Sequence, residues 1–400
     1  MKAKYLLLLL CIFAALFSCK KDNKTTDSGK DFGGFYISDA TPEPGETLQL
    51  SFTSKNLNSK NGVTGIWHYV VGRNLYSNDL ELIDSAGVWK ASVEIPDSAK
   101  MVAFHFTEEQ DFSYDGENAY VLPLFTNEGN PIPGSFASQG FYYTTVSPQF
   151  GLQMKKDSIF SLYEKDIKAD PEIRVEYDRF YANLLVNKNE NRGKRYLEER
   201  IAQLTEKEKL SEKEYALLSD LYKLSGEKEL KDSIEVIASQ KYPHSLISES
   251  KFASEFSTEK DIEQKKSMLQ EYYERFGKGE MRWENFIVNS LASTYVKDED
   301  FDSYMKITDQ MSNPQDAASL HNNMAWELAL KEEKLGFAEN ISKKSLELVR
   351  KEMDNLEHKP NRISQKEYSE QLQNTYAMYA DTYAFILFKQ GKVEEALPYQ

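Results

Sequence analysis

The spacing of apolar residues changes once along this 400-residue chain, near Pro148. Before that point apolar and polar residues alternate, as at Val102 and Phe104, which is typical of strands with one buried face. After it apolar residues recur every three or four positions, as at Tyr368 and Leu372, which is typical of helices that bury one side. The sequence therefore predicts a multidomain fold in which a β domain is followed by an α-helical region.

The β domain is predicted over residues 35–147. Its strands are marked by alternating apolar residues, among them Leu48 with Leu50 and Ala91 with Val93. Short sequences rich in Gly, Pro, Asn and Asp separate these runs and favour turns. Short strands at this spacing indicate a β-sandwich of about seven or eight strands.

The α-helical region is predicted over residues 148–400, with about ten to thirteen helices. Their starts are indicated by an N-cap residue before a proline, or by a capping box, at four places: Asp170-Pro171, Asn313-Pro314, Ser211 with Glu214, and Thr258 with Asp261. Joined by short loops, such helices stack as antiparallel hairpins. A stack of hairpins leaves an extended concave surface, which suits a protein or peptide ligand.

The N-terminus has the pattern of a secretory signal. Lys2 and Lys4 precede an apolar run over residues 5–17, which is too short to cross a bilayer permanently, since a span needs about 20 residues. Residues 1–18 are therefore predicted to be a signal peptide. Residues 19–34 are polar, without an apolar period, and are predicted to be a flexible tether.

The end of this signal resembles the lipobox of bacterial lipoproteins, through Leu16, Ser18 and Cys19. The resemblance implies cleavage before Cys19 and attachment of lipid to its sulfur, so that the protein is anchored to a membrane of the cell envelope. Lys20 resembles the sorting pattern of outer-membrane lipoproteins, with the periplasmic or the surface face left open. The alternative is ordinary secretion, in which Cys19 has no special role.

Charge and cysteine content limit the partners and the chemistry. The net charge is −15, and it would be about −17 without Lys2 and Lys4, because 47 basic and 64 acidic residues would remain. Such a surface repels phosphate backbones, so no nucleic-acid partner is expected. The only cysteines are Cys11 and Cys19, both near the signal, so no disulfide is predicted in the mature chain.

No catalytic, cofactor or metal site is predicted within these residues. The five histidines lack the spacing that places two of them on one helical face toward a metal. The motifs G-x-S-x-G, G-x-x-x-x-G-K-[ST] and G-x-G-x-x-G after a strand are absent from the sequence. The prediction is a protein that binds a partner and does not catalyse a reaction in the residues shown.

The segment from Gly87 to Tyr120 resembles immunoglobulin-like and starch-binding-type carbohydrate modules. The resemblance implies a possible glycan ligand, for which exposed aromatic rings stack on sugar rings. Trp67 and Tyr114 are the candidate contacts, and a glycan-binding lipoprotein of polysaccharide uptake is one alternative function. The other interpretation of Trp67 is that it fills the core of the sandwich.

Two helical hairpins resemble tetratricopeptide (TPR) repeats. Residues 322–348 carry the first resemblance through Ala325, Trp326, Leu328, Ala338 and Leu346, and residues 380–400 carry the second through Ala384, Gly391 and Ala396. The two repeats are not regularly spaced. A TPR-like α-helical region that acts as a protein-binding or peptide-binding scaffold is therefore the favoured function.

The order of lipobox, β domain and irregular hairpins resembles envelope lipoproteins that carry a C-terminal thioredoxin-like domain of the TlpA/redoxin class. The resemblance implies that residues 19–400 are the anchor and spacer of a thiol-disulfide oxidoreductase whose redoxin domain follows residue 400. The chain has no C-x-x-C pair, so no catalytic residue is carried over. The predicted second helix of the last hairpin is short at Gln400, so the repeat region is expected to be incomplete at its C-terminus.

Overall fold

The computed structural model describes residues 29–53, 63–108, 119–152, 154–278 and 282–400. Within these ranges nine strands precede fourteen α-helices. The predicted order of a β region followed by an α-helical region is confirmed. Strands come first in the chain: β1 Lys30–Asp31, β2 Phe35–Ile37, β3 Thr47–Phe52, β4 Val63–Val71, β5 Asn74–Asp79, β6 Ile83–Ser85, β7 Val88–Glu94, β8 Met101–Glu108 and β9 Ala119–Pro123.

The strands form two antiparallel sheets. The outer sheet has the order β1-β2-β3-β7-β6, and the inner sheet has the order β5-β4-β8-β9. β1 pairs with β2 and lies within residues 19–34, so the predicted tether ends earlier than expected. Nine strands are described, where seven or eight were expected.

The inner sheet is the middle layer of three. Trp67 and Phe104 point toward the outer sheet and share a core with Phe35 of β2. Their neighbours along the same strands, such as Ile66 and Ala103, point to the opposite face of the sheet and pack against helices. Strands β4 and β8 are therefore buried on both faces, which is why β4 is apolar almost throughout instead of alternating.

The helices begin before residue 148, because the first of them lies within the range predicted for the β domain. Their bounds are α1 Ser135–Thr145, α2 Lys156–Ala169, α3 Arg174–Lys188, α4 Glu190–Thr205, α5 Glu212–Ser225, α6 Lys228–Lys241, α7 Leu246–Thr258, α8 Ile262–Phe276, α9 Glu284–Lys297, α10 Phe301–Thr308, α11 Pro314–Lys331, α12 Leu335–Asn355, α13 Gln365–Lys389 and α14 Val393–Ala396. The sequence of α1 is rich in Ser, Thr, Gly and aromatic residues, which are weak helix formers. Packing against the inner sheet stabilises it instead, since Ala137 and Tyr142 are fully buried.

Most predicted helix starts are confirmed. The side chains of Asp170 and Asn313 accept hydrogen bonds from the backbone N–H two residues ahead, at 3.0 and 2.9 Å. Ser211 and Glu214 form the predicted capping box. The pairing of Thr258 with Asp261 is wrong, because Thr258 ends α7 and Asp261 is itself the N-cap of α8.

The two predicted hairpins are present as pairs of helices. Helices α11 and α12 pack antiparallel, and the small residues Ala325 and Ala338 at their contact are fully buried. Gly391, between α13 and α14, has a φ of 77°, the left-handed conformation that glycine adopts without strain. In the ranges given above, no helix combines the length and the apolar character needed to cross a membrane.

The helical region curves back to the inner sheet. Residues 356–364, between α12 and α13, lie against the free edge of β5, where the Ser77 N–H donates to the Asn361 carbonyl oxygen at 2.7 Å. Farther along, the Lys366 N–H donates to Asp79 Oδ2 at 3.0 Å. The inner sheet therefore contacts both the first helices and the start of α13, and a cleft lies between these contacts.

Candidate functional site

A large concave site lies where the helical region returns to the sheet. It has a volume of about 1080 Å³ and is formed by β5, the end of α1, the segment before α9 and the loop before α13. Its floor is apolar and its upper part carries three arginines, so we call it the arginine cleft. The residues that line it include the buried Phe141, Val146 and Phe150, which form the floor, the half-buried Leu75, Tyr76 and Ile363, and the polar Arg73, Arg282, Arg362, Glu367 and Gln371.

The arginine cleft is positively charged, although the chain as a whole is acidic. Arg73, Arg282 and Arg362 are exposed, and in the described part of the chain none of them forms an ion pair. The one carboxylate in the lining, that of Glu367, accepts a hydrogen bond from the Ser364 N–H at 3.0 Å as part of a capping box. Three guanidinium groups therefore face a single carboxylate that is already engaged.

A buried hydrogen-bond chain holds one of these arginines in place. Ser77 Oγ donates to the Arg362 carbonyl oxygen at 2.8 Å and lies 2.7 Å from His68 Nδ1. Because the hydroxyl hydrogen points to the carbonyl, Nδ1 of His68 carries a proton and donates to Ser77. We call this the His68–Ser77–Arg362 relay. It fixes the backbone of the loop that carries Arg362.

The two histidines of the inner sheet are structural groups. His105 Nε2 lies 2.5 Å from the Tyr142 hydroxyl on α1. Burial lowers the pKa of His105 to about 3 and lowers the pKa of His68 well below its usual value, so both rings are neutral at physiological pH. In the ranges that the structure covers, no group of three or more His, Cys, Asp or Glu side chains is arranged to hold a metal ion.

A second concave surface lies entirely among helices. This helical groove has a volume of about 740 Å³ and runs between α2, α3, α5 and the segment that follows α1. Six half-buried apolar side chains line it: Tyr143, Leu152, Met154, Phe180, Leu184 and Leu224. At its rim Arg179 pairs with Asp220 at 3.4 Å, and Lys156 and Lys223 add two further positive charges.

A third surface is an apolar patch at the end of the described helices. Trp326 is 39% exposed, Phe388 60% and Leu397 62%. They border a smaller hollow of about 350 Å³ with Phe385, whose ring lies 5.2 Å from that of Trp326. The patch is another place where aromatic side chains line a helical surface.

The residues predicted as ligand contacts do not meet at any of these surfaces. Trp67 is only 8% exposed and packs in the core between the sheets, 5.4 Å from the ring of Tyr69. The prediction that Trp67 contacts a glycan is therefore wrong, and the interpretation as a core residue is confirmed. Tyr114 and Cys19 lie outside the described residues.

The arginine cleft was not predicted, because its members are far apart in the chain. A weak signal was present, since none of the three arginines has an Asp or Glu three or four residues away on either side. Local pairing with a carboxylate was therefore not available to them. Nothing in the sequence indicates that the three segments meet.

Comparisons with known proteins assign no family. A scan of protein-family models finds no match to this chain, and a search of curated proteins finds none either. The lipoprotein, TPR and redoxin resemblances therefore stay predictions.

Proposed function

We propose that this chain is a cell-envelope protein, anchored by lipid on Cys19, that acts as a scaffold and holds an apolar segment of a partner protein in the helical groove. The observation that carries the proposal is the groove itself, where six apolar side chains remain half-buried and open to a volume of about 740 Å³. Contiguous exposed apolar surface of this kind marks interaction sites on soluble domains. An amphipathic helix that lays its apolar face into such a groove is a common way of binding.

The rim of the groove suggests the character of the partner segment. Lys156 and Lys223 carry no ion pair in the part of the chain that the structure describes, and Arg179 and Asp220 neutralise each other. The rim therefore favours acidic residues beside the apolar face of the partner. Burial raises the pKa of Tyr143 to about 12, so its phenol stays protonated and can donate a hydrogen bond to the partner.

The finer fold assignments support the same proposal. We propose that the two sheets form an immunoglobulin-like sandwich and that α11 to α14 are TPR-like hairpins. Two antiparallel sheets that share one core, and fully buried small residues between paired helices, are consistent with these folds. Both architectures commonly present a surface to a partner protein.

The proposal is tested by crosslinking in the native membrane. A photoreactive amino acid in place of Tyr143 should crosslink to one partner protein, and Leu184→Glu should abolish the crosslink by placing a charge among the apolar side chains. The matched control is Leu230→Glu, because Leu230 is 47% exposed on α6, outside the groove. Melting curves of all three proteins check that they fold. No crosslinked protein, or a crosslink that survives Leu184→Glu, would refute the groove as the binding site.

The anchor needs its own measurement. Intact mass of the membrane-extracted protein should show an acylated chain that begins at Cys19, and Cys19→Ser should release the protein from the outer-membrane fraction. An unmodified Cys19, or an unchanged distribution, would contradict lipidation. The alternative function as the spacer of a thioredoxin-like domain rests on the sequence resemblance alone.

A further inference from the structure

The backbone edge of β5 is open at one position inside the arginine cleft. In an antiparallel pair, the N–H and C=O groups of successive residues point alternately toward the partner strand and away from it. The Leu80 N–H donates to Gly65 on the inner side at 2.8 Å, whereas the Ser77 N–H points outward and donates to Asn361. By the same alternation the N–H and C=O of Leu75, two residues before Ser77, also point away from β4.

Leu75 lies in the wall of the arginine cleft, so its outward backbone groups face the cleft. No backbone hydrogen bond to them is formed by the described residues. The next outward position, Ser77, is already occupied by residues 360–363 of the same chain, which lie along this edge. A backbone carbonyl of the same chain therefore already accepts from this edge at one outward position, and the outward groups of Leu75 lie at the next one, in the cleft.

The side chains around this edge select for negative charge. Arginine presents a planar fork of N–H donors that matches a carboxylate with two parallel hydrogen bonds. Arg73 lies directly before β5, and Arg362 is held beside it by the relay to Ser77. A backbone that pairs at Leu75 would lie in the cleft that these two arginines line, next to the buried ring of Phe150 on the apolar floor.

We propose that the arginine cleft binds an extended acidic peptide segment of a partner protein, which adds to β5 at Leu75 and places its carboxylates on Arg73, Arg282 and Arg362. A peptide fits better than an acidic polysaccharide or a phosphate group. Only a peptide supplies both a C=O for the Leu75 N–H and an N–H for the Leu75 C=O, and alternating side chains reach the apolar floor. Apart from Thr145, which lines both, the site uses residues other than those of the helical groove, so it holds or fails independently of the proposed scaffold function.

The test is a binding titration of the full chain with a labelled synthetic peptide in which Glu and Val alternate over eight residues. Fluorescence anisotropy is measured at low ionic strength, where charge contacts are least screened. The double variant Arg73→Gln/Arg362→Gln should bind at least about tenfold more weakly, because two charge-assisted contacts are lost. The matched control is Arg195→Gln, since Arg195 is an exposed arginine on α4 outside the cleft, and it should change the affinity by less than about twofold.

Altered peptides separate the two parts of the proposal. Replacing Glu by Gln should weaken binding about as much as the double variant does, because it removes the same contacts. Two further peptides carry methyl groups on the odd-numbered or on the even-numbered backbone nitrogens. One of the two should bind at least about tenfold more weakly than the unmethylated peptide, because its methyl groups block the backbone hydrogen bonds to β5. Equal binding of both methylated peptides, or no effect of the double variant, would overturn the proposal. Tighter binding of oligogalacturonate or of inorganic phosphate than of the acidic peptide would also overturn it, by assigning the cleft to another class of anion.

Discussion

Replacement of Ser77 by Ala tests the contact that joins the two ends of the fold. Ser77 is 1% exposed, and its hydroxyl both accepts from His68 and donates to the Arg362 carbonyl. Without the hydroxyl one N–H of the His68 ring is left without an acceptor in either neutral tautomer, because Nε2 has no partner in the described residues. A buried polar group without its partner costs about 1–3 kcal/mol, and loss of the bond to the partly buried carbonyl costs about 0.5–1.5 kcal/mol.

We therefore expect Ser77→Ala to lower the free energy of unfolding by about 2–4 kcal/mol. Urea titration followed by circular dichroism measures this, with hydrogen exchange at the amides of residue 77 and of Lys366, which donate across this contact, to detect local opening. The matched control is Ser92→Ala, where the hydroxyl accepts an exposed hydrogen bond from Gln49 and should contribute less than about 0.5 kcal/mol. A loss in Ser77→Ala no larger than in Ser92→Ala would refute the reasoning.

A double-mutant cycle assigns the loss to the histidine. In a His68→Leu background the unpaired ring N–H no longer exists, so Ser77→Ala should cost only the contact with the Arg362 carbonyl. The coupling between the two sites should therefore be about 1–3 kcal/mol. Simple additivity would mean that the ring and the hydroxyl do not depend on each other.

Two further predictions concern stability. Burial holds the pKa of His105 near 3 and that of His321 near 4, below the unfolded value of about 6.5. The unfolded chain therefore binds more protons than the folded chain when the pH lies between the folded and unfolded pKa values. The free energy of unfolding should have its full value above pH 6.5 and be lower by about 2 kcal/mol per histidine at pH 5. Urea titrations from pH 7.5 to 5 measure this dependence of stability on pH. His321→Gln should remove about half of the loss that the two histidines cause together. An unchanged dependence on pH in this variant would contradict the prediction. Gly140→Ala should destabilise the protein by about 1–3 kcal/mol, because the new methyl carbon would lie 2.7 Å from Tyr163. The control is Gly336→Ala, in open space on α12, which should stabilise the protein by about 0.5–1 kcal/mol. Similar shifts in melting temperature for the two variants would argue against the packing of Gly140 on Tyr163.

Local patterns in the sequence predicted local structure well. The alternation at Ala91 and Val93 marks strand β7, and Ser211 with Glu214 marks the start of α5. These predictions succeed because each depends on residues within one turn or one strand. The order of β region and α region follows from the same periodicity.

Features that depend on packing between distant segments could not be predicted. Strand β4 lacks alternation because both of its faces are covered, and α1 is helical in spite of its sequence because it packs on the inner sheet. The arginine cleft joins residues 73, 282 and 362, and no local pattern reports that these segments meet. Trp67 carried no signal of its own that separates a core residue from a sugar-binding one.

The relay and the arginine cleft depend on each other. Residues 356–364 close onto β5 through Ser77, and this closure both forms the cleft and positions Arg362. A peptide that contacts Arg362 and the Leu75 backbone together would bind only the closed arrangement and would therefore stabilise it, by about 2.7 kcal/mol at a ligand concentration 100 times its dissociation constant. It follows that Ser77→Ala should weaken peptide binding, although Ser77 does not line the cleft. Saturating peptide should also restore part of the free energy of unfolding that the variant loses. If the destabilised Ser77→Ala protein binds the peptide with wild-type affinity, the cleft forms without the contact between Ser77 and residues 356–364. Peptide binding would then not depend on the relay.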